Sequence, residues 1–221
     1  MARLERLPQL NEGKPEGGYR AFVFDLDGTL YNQTKLRLIM ACRLGLYYLI
    51  RPHRIKELLW IKTFRKVRDN WEDHAAKEEN AGAVSPDDAQ YAYVAKHHHT
   101  NPEAVEKTIR RWIYENPLSA LSKCTDTRLS EYIASLRENG VPVLIFSDYP
   151  IEDKLQALGI TADGMYAPGD ERAIELKPSP MGLQLIMKEH GLTPSQVLMV
   201  GDREVKDGEA ARRADVDYVI L

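Results

Sequence analysis

The sequence predicts a doubly wound parallel-sheet α/β core of Rossmann-like type, with an α-helical unit inserted after its first strand. Three observations predict this fold: short apolar runs that do not alternate with polar residues, helical stretches between those runs, and one long helical stretch that interrupts the series. Near-continuous apolar strands are covered on both faces, which is typical of parallel strands between layers of helices. Strands that alternate with helices indicate right-handed crossovers within one sheet.

The predicted strands are apolar runs bounded by breaker residues. They lie at residues 20–25, 141–147, 197–202 and 218–221. Helices are predicted between them at residues 127–139, 151–158, 181–190 and 204–214. Glycine follows the first three of these helices, where it suits the left-handed backbone position after a helix end.

The remaining segments define the domain organisation. Residues 32–121 contain long helical stretches and no comparable strand signal. Because the first strand precedes this region and the others follow it, we predict that residues 32–121 are a helical insertion into an α/β core of residues 19–31 and 122–221. Residues 1–18 are polar and rich in Gly and Pro, and they lack the apolar run of a secretory signal, so they are predicted to form a flexible arm.

Composition excludes several classes of function. The chain has 221 residues and a formal charge of -3, so it lacks the basic field with which nucleic-acid-binding proteins collect phosphates. Its two cysteines, Cys42 and Cys124, form no CxxC pair, which argues against a disulfide framework or a zinc site. A cytoplasmic location is therefore expected.

Polar residues follow three predicted strands at the point where each strand ends. Asp25 ends the first and is followed by Asp27, Ser147 ends the second, and Asp202 ends the third, with Asp207 five residues later. Ligands of open α/β sheets bind outside the carboxyl ends of the strands, so these side chains are predicted to share one pocket. Several carboxylates repel one another unless a cation neutralises them, and oxygen ligands are those that Mg²⁺ prefers. The charges alone therefore predict a Mg²⁺ site.

The stretches around these residues resemble the four motifs of the haloacid dehalogenase-like hydrolases, and in particular phosphoglycolate phosphatase-like members with a helical cap. In chain order they are FVFDLDGTL at 22–30, VLIFSDY at 143–149, ELKPSP at 175–180 and VLMVGDREVKDGEAAR at 197–212. The resemblance covers residues 18–31 and 122–221. One motif alone would be a weak signal, whereas four in the right order are specific.

The resemblance implies a role for each matching residue. Asp25 would attack phosphorus and form an aspartyl-phosphate, and Asp27 would protonate the leaving oxygen and then activate water. Ser147 and Lys177 would bind the phosphoryl oxygens. Mg²⁺ would be held by the Asp25 carboxylate, the Asp27 backbone carbonyl and Asp202.

Supporting roles fall to Gly28, Thr29, Gly201 and Asp207, of which Asp207 would orient Lys177 or a metal-bound water. Family members often carry Asn after the motif Ser or Thr, whereas this chain has Asp148. We assign Asp148 no catalytic role and only a local structural one.

The presence of Asp27 favours phosphoryl transfer over dehalogenation, because displacement at carbon–halogen bonds needs no acid to protonate an alkoxide. We therefore expect a Mg²⁺-dependent phosphatase acting on a small phosphomonoester such as phosphoglycolate, a sugar phosphate or a nucleotide. Two alternatives stay open: a sugar-phosphate mutase with the same motifs, and a catalytically silent member that acts as a binding protein. The cap would select the substrate, but its sequence identifies none.

The stretch from residue 36 to residue 68 is unusually basic and apolar together. Three interpretations fit it: solvated charges over a buried helical face, attraction of anionic substrates, and contact with a membrane surface or a partner. Its apolar run at 44–50 is too short to span a bilayer, and burial in the cap or a dimer contact suits it better. We expect no transmembrane segment and no nucleic-acid partner, and either a homodimer or a weak surface association through this stretch.

Overall fold

The computed structural model describes residues 4–11, 14–15, 18–75, 85–169, 172 and 174–221. The chain divides into two compact units, one of Met1–Thr34 with Leu121–Leu221 and the other of Lys35–Ala120. The second unit coincides closely with the segment predicted as an insertion. Its role as a cap stays a prediction.

The first unit is built on a parallel sheet. The strands of its described residues are β1 (Leu10–Asn11), β2 (Lys14–Pro15), β3 (Ala21–Phe24), β4 (Val143–Phe146), β5 (Gly164–Tyr166), β6 (Val197–Gly201) and β7 (Asp217–Ile220). β1 and β2 pair with each other, and the other five form one parallel sheet in the order β5-β4-β3-β6-β7. Every residue of β3, β4 and β6 is buried, which explains why their sequences do not alternate. The predicted α/β fold is confirmed.

The edge strand β5 was not predicted. Its sequence, Gly-Met-Tyr, has no apolar run, and Met165 at its centre is exposed. The strand exists because it pairs with β4, where Gly164 lies opposite Leu144. A Cβ atom at Gly164 would approach the Leu144 side chain to 2.9 Å, so the absence of a side chain permits this close pairing.

Helices make up the described part of the second unit. They are α1 (Gln33–Ile50), α2 (Glu57–Asp69), α3 (Trp71–Ala75), α4 (Pro86–His98), α5 (Pro102–Ile109) and α6 (Leu118–Leu121), with a π-helical turn at Arg110–Glu115. Phe64, Val94 and Val105 have no exposed surface and form part of its core. Two aromatic residues also lie in this core, since Tyr91 stacks on Phe64 and Trp112 is buried.

The helices of the first unit alternate with the strands along the chain, as predicted. They are α7 (Thr127–Glu138), α8 (Glu152–Leu158), α9 (Met181–His190) and α10 (Glu209–Arg213). Gly159 and Gly191 take left-handed conformations directly after α8 and α9, with φ of 68° and 62°. The helix predicted at 204–214 instead begins as a π-helical turn, Glu204–Gly208, before α10.

Part of the segment predicted as a flexible arm contacts the sheet unit. Residues 1–3, 12–13 and 16–17 of that segment lie outside the described residues. Leu7 is buried, the Tyr132 hydroxyl donates to the Pro8 carbonyl at 2.8 Å, and Arg6 donates to the Ile220 carbonyl at 2.7 Å. These contacts hold residues 6–8 against the unit.

Among the described helices, none combines the length and the apolar character that crossing a bilayer requires.

Candidate active site

The candidate site lies where the sheet reverses its strand order. β4 and β5 lie on one side of β3, and β6 and β7 lie on the other. The carboxyl ends of β3, β4 and β6 therefore border a crevice of the type that binds ligands in open α/β sheets. Asp25 directly follows β3, Ser147 directly follows β4, and Asp202 directly follows β6.

Asp25 is held at the end of β3 by backbone and side-chain contacts. Its amide donates to the Val200 carbonyl at 2.8 Å, which ties the end of β3 to β6. One carboxylate oxygen accepts from the Thr29 hydroxyl at 3.0 Å, and the other accepts from the Lys177 ammonium at 2.5 Å. Both oxygens therefore have fixed directions in a buried site.

Lys177 links three elements of the site. Its ammonium contacts Asp25 at 2.5 Å, Asp207 at 2.6 Å and the Phe146 carbonyl at 3.2 Å. An ammonium has three N–H donors, so these contacts use all of them. Burial lowers the pKa of Lys177, but the carboxylates of Asp207, Asp25 and Asp148 outweigh burial and raise that pKa. The surrounding carboxylates thus favour the charged form of this side chain.

Asp207 is oriented from both sides. One carboxylate oxygen accepts from Lys177, and the other accepts from the backbone amides of Asp202 and Arg203 at 3.2 and 3.0 Å. Gly201 makes room for it, since a Cβ atom there would lie 2.3 Å from the Asp207 Cβ. Both oxygens of the Asp207 carboxylate thus already accept hydrogen bonds from other groups of the protein.

Gly28 brings the turn after β3 against Asp202. Its φ of 100° is a conformation that residues with a side chain rarely adopt. A Cβ atom at this position would lie 2.1 Å from an Asp202 carboxylate oxygen. The turn and the end of β6 can touch only because this residue is glycine.

Ser147 and Asp148 follow β4. The Ser147 side chain is fully buried, and its hydroxyl lies 3.5 Å from an Asp27 carboxylate oxygen. The hydroxyl also accepts from the Tyr149 amide at 3.1 Å. Asp148 accepts a hydrogen bond from the backbone amide of Lys177 at 2.8 Å. Asp148 therefore connects the second motif to the Lys177 loop.

Asp27 has partners that the sequence did not reveal. The Lys154 ammonium, from the first turn of α8, contacts its two carboxylate oxygens at 2.6 and 2.7 Å. The Tyr31 hydroxyl donates to the same carboxylate. Lys154 is itself buried and lies over the Tyr149 ring, 5.0 Å from its centroid.

The two carboxyl groups of the first motif differ in electrostatic environment. Burial raises the pKa of Asp25 well above its usual value, and the Asp207 and Asp27 charges add to this effect although Lys177 opposes it. Burial also acts to raise the pKa of Asp27, but Lys154 and Tyr31 outweigh it and lower that pKa. Neighbouring carboxyl groups in different environments can take different roles in catalysis.

The donor set fits a hard divalent cation. Asp25, Asp202 and Asp207 each offer a carboxylate oxygen, and these oxygens lie within 4.8 Å of one another. An all-oxygen set of this kind suits Mg²⁺. Asp207 accepts three hydrogen bonds, whereas Asp25 accepts two. Asp25 and Asp202 are therefore the better placed ligands.

The structure brings together every residue that the sequence singled out. Asp25, Thr29, Lys177 and Asp207 form one hydrogen-bonded chain, in which Asp207 also contacts the backbone at Asp202. The glycines at 28 and 201 make the close approaches described above, and Asp27 meets Ser147. The catalytic and binding roles of these residues stay predictions.

Three residues of the site were missed: Tyr31, Lys154 and Lys206. The ammonium of Lys206 is buried and donates to the Lys177 carbonyl at 2.6 Å. A signal for Lys154 existed, because it occupies the same helical face as Ile151, Leu155 and Leu158, which are buried. A cation on the apolar face of a helix requires a buried partner.

Comparison with known protein families gives a match over most of the chain. A family model described as haloacid dehalogenase-like hydrolase matches residues 19–215. Comparison with curated protein sequences gives no match.

Several solved structures have a similar fold. A protein of Bacillus subtilis described as a putative HAD-hydrolase bound to magnesium has 15% identity and a TM-score of 0.61, covering 92% of this chain and 88% of that one. A protein of Haemophilus somnus described as a predicted phosphoglycolate phosphatase has 19% identity and a TM-score of 0.59, covering 92% and 85%. A 2-haloacid dehalogenase of Pseudomonas syringae has 13% identity and a TM-score of 0.59, covering 92% and 86%.

At these identities the structural likeness establishes the fold and not the reaction. The family model, in contrast, spans both the α/β unit and the helical unit between its first two motifs. The chain belongs to the haloacid dehalogenase-like hydrolases.

Proposed function

We propose that this chain is a Mg²⁺-dependent phosphatase that hydrolyses a small phosphomonoester through an aspartyl-phosphate on Asp25. The observation that carries the proposal is the different setting of the two carboxylates in the first motif. Asp25 is bound by Lys177 and Thr29, whereas Asp27 is bound by Lys154 and Tyr31. One carboxylate is thus set for attack, and the other is a separate group available for proton transfer.

In the proposed mechanism, Asp25 attacks phosphorus and the bond from phosphorus to the ester oxygen breaks. A proton from Asp27 passes to the departing oxygen, so the alcohol leaves neutral. Asp27 then accepts a proton from water as that water attacks the phosphorus of the aspartyl-phosphate. Inorganic phosphate leaves, and Asp25 regains its carboxylate.

Ser147 and Lys177 bind the phosphoryl oxygens in this proposal. Because the ammonium of Lys177 already has three acceptors, a phosphoryl oxygen replaces one of them. The Phe146 carbonyl, at 3.2 Å, is the most distant of the three. Asp207 keeps the ammonium in place during this exchange.

Asp25, Asp202 and the backbone carbonyl of Asp27 would hold Mg²⁺. When bound, the ion supplies positive charge that offsets the negative charge meeting at the phosphoryl group. It also neutralises the carboxylate cluster, in which the burial of Asp25 would otherwise favour a protonated and non-nucleophilic group.

The substrate would be a small molecule, and we also propose a cytoplasmic location for the protein. Dehalogenation would use the same nucleophile, but the departing halide needs no proton from Asp27. The presence of Asp27 in the site therefore favours phosphoryl transfer.

The test compares wild type with Asp25→Asn on phosphoglycolate, sugar phosphates, nucleotides and a 2-haloacid, in Mg²⁺ and in EDTA. We expect release of inorganic phosphate that needs Mg²⁺ and is lost in Asp25→Asn. Single turnover in water labelled with heavy oxygen identifies the bond that water attacks. Label in the released phosphate supports the proposal, because it shows that water attacks phosphorus and not the Asp25 carboxyl carbon.

Other outcomes of the same assay overturn the proposal. Halide release with label in Asp25 would make the protein a dehalogenase. Conversion of a sugar phosphate to its isomer without phosphate release would make it a mutase. Absence of turnover by folded protein across the panel would favour a binding protein.

A further inference from the structure

The helical unit exposes an apolar surface on α1 that the proposed chemistry does not use. Leu38, Leu46 and Leu49 are 68%, 62% and 79% exposed. With Cys42 they follow one another at intervals of three or four residues, which places them on one side of the helix. We call Leu38, Cys42, Leu46 and Leu49 the α1 face.

The opposite side of α1 is buried against other residues of the protein. Leu36, Met40 and Tyr48 are buried, and the Tyr47 ring meets Trp112 edge-on at 5.0 Å. The helix therefore already has a core-facing side. The α1 face is a second apolar side that nothing in the described part of the chain covers.

Apolar exposure continues beyond the end of α1. Ile50, Ile55 and Leu59 are all more than half exposed. This segment is held together, because the Tyr48 hydroxyl donates to Glu57 at 2.9 Å and Arg54 donates to the same carboxylate at 2.6 Å. The exposed aliphatic side chains thus belong to one ordered region.

The exposed charges within residues 35–68 have a single sign. Between residues 35 and 68 the sequence has ten Lys and Arg residues and one acidic residue, Glu57. Glu57 is buried and bound to Tyr48 and Arg54. Every exposed charged side chain in this range is therefore a cation; they are Lys35, Arg37, Arg51, Lys56, Lys62, Arg65 and Lys66.

The cations bracket the α1 face along the helix axis. Lys35 and Arg37 lie in its first turns, and Arg51 follows its last residue. At the usual rise per residue α1 is about 27 Å long, with cations at both ends and aliphatic side chains between them. A helix that lies flat in a lipid interface has this arrangement, with apolar side chains directed into the acyl boundary and cations at the headgroups.

We propose that the α1 face and its flanking cations form a docking surface for an anionic lipid membrane. The cytoplasmic leaflet carries negative lipids, which attract clusters of Lys and Arg close to apolar side chains. A small phosphorylated substrate would use the cations but would leave the leucines in water. The aliphatic side chains therefore indicate a surface with an apolar interior.

Charge argues against a second copy of the chain as the occupant. Bringing two copies together through this region would bring the exposed cations of one copy near those of the other. Residues 35–68 contain no exposed acidic side chain that could pair with them. Like charges facing each other across an interface disfavour association.

The test measures cosedimentation of the full chain with vesicles. One set contains phosphatidylcholine alone, and the other contains phosphatidylcholine with phosphatidylglycerol. We expect binding to the anionic vesicles only, weakened by added salt. Leu46→Gln/Leu49→Gln and Arg37→Gln/Arg51→Gln should each reduce the partition constant about tenfold or more.

Matched controls separate this effect from general changes of the surface. Met165→Gln removes an exposed apolar side chain of the other unit, and Arg110→Gln removes an exposed cation outside the region. Both should bind as wild type does. Circular dichroism and melting temperature verify that each variant is folded.

Cys42 provides a local readout. It is the exposed one of the two cysteines, and Cys124 is buried, so an environment-sensitive fluorophore can be attached to the α1 face alone. Blue-shifted emission with anionic vesicles, and quenching by brominated lipids, are the expected results. Vesicle binding without either signal would overturn the proposal, because the cations alone would then be responsible.

Two further results would overturn it. Failure of the wild type to bind anionic vesicles at low salt would remove the lipid surface as the occupant. Concentration-dependent dimerisation that Leu46→Gln/Leu49→Gln abolishes would assign the α1 face to a second copy of the chain.

Discussion

Lys154 binds both carboxylate oxygens of Asp27, at 2.6 and 2.7 Å. The two residues are separated by 127 positions in sequence and meet because α8 begins beside the end of β3. The same carboxylate accepts a hydrogen bond from Tyr31. In the proposed reaction Asp27 must carry a proton for the first step, and the proton competes with Lys154 for the same oxygens. Lys154 thus fixes the direction of Asp27 and favours its ionised form.

The first prediction concerns Lys154→Met. Removing the ammonium makes Asp27 easier to protonate, but it also leaves the carboxyl group less well directed toward the departing oxygen. We expect the loss of direction to be the larger effect, so kcat/KM for an alkyl phosphate should fall about tenfold or more. With p-nitrophenyl phosphate, whose leaving group needs no proton, the fall should be smaller. The comparison uses kcat/KM because it reports the steps up to release of the leaving group.

Lys154→Arg and Lys62→Met are its controls. Arginine keeps the cation beside Asp27 and should recover part of the loss, while Lys62 is an exposed residue far along the sequence from the motifs. An equal loss with both substrates in Lys154→Met would show that the residue only supports the fold.

The second prediction concerns Asp148, where the family often has Asn. The carboxylate accepts from the Lys177 amide at 2.8 Å, and an Asn carbonyl oxygen can accept the same hydrogen bond. Asp148→Asn should therefore retain activity within a few-fold of wild type. Asp148→Ala leaves the amide without this acceptor and should lower kcat about tenfold, because the Lys177 ammonium loses its fixed position.

Steady-state phosphate release measures both variants. A loss in Asp148→Asn as large as that in Asp148→Ala would indicate that the charge of Asp148 matters, and not its acceptor oxygen.

Much of the core was predictable because its strands are buried on both faces. β3 and β4 contain only apolar residues, and so does β6 before its last residue, Gly201. Burial on both faces leaves no position in these strands for a polar side chain. β5 was not predictable, because its pairing with β4 stabilises it and its own composition does not. A strand of three residues with an exposed centre has no pattern that distinguishes it from a loop.

The site shows a similar division. Asp25, Asp27, Ser147 and Asp202 follow strand ends, and strand ends are readable from the sequence. Lys154 lies on a helix, and its partner is identified only when the helix is placed against the sheet. Sequence spacing therefore located the residues that belong to the motifs but not the cation that binds Asp27.

The third prediction concerns pH and the ion pair of Arg137 with Asp163. Arg137 donates to both Asp163 oxygens at 2.9 to 3.1 Å, and the Val143 amide donates to one of them at 2.9 Å. The hydrogen bonds from Arg137 are the largest influence on the pKa of Asp163, and they lower it although partial burial opposes them. A lowered pKa in the folded state means that the pair stabilises the fold above the unfolded pKa of about 3.9.

That stability is lost as pH falls through the lower, folded pKa of Asp163. Asp163→Asn should reduce the free energy of unfolding at neutral pH by about 1 kcal/mol, since the pair is partly exposed. The difference from wild type should shrink as pH falls below about 3.9. Urea titrations at several pH values measure it, and a difference that stays constant down to the most acidic pH would contradict the assignment.

The fourth prediction compares two glycines with positive φ. Gly28 has φ of 100° and Gly140 has φ of 72°, so Ala strains the backbone at either position. The two differ in their surroundings. A Cβ atom at Gly28 would lie 2.1 Å from an Asp202 carboxylate oxygen, whereas nothing lies within 4 Å of one at Gly140.

Gly140→Ala should therefore lower the free energy of unfolding by about 1 kcal/mol and leave activity unchanged. Gly28→Ala should also displace Asp202, and we expect it to lose most phosphate release and most of the rise in melting temperature that Mg²⁺ gives the wild type. The Mg²⁺-dependent shift in melting temperature does not require turnover, so it tests the position of Asp202 separately from the chemistry. If Gly28→Ala kept the full shift, Asp202 would not be a ligand of the ion, and the metal site would have to be built on Asp25 without it.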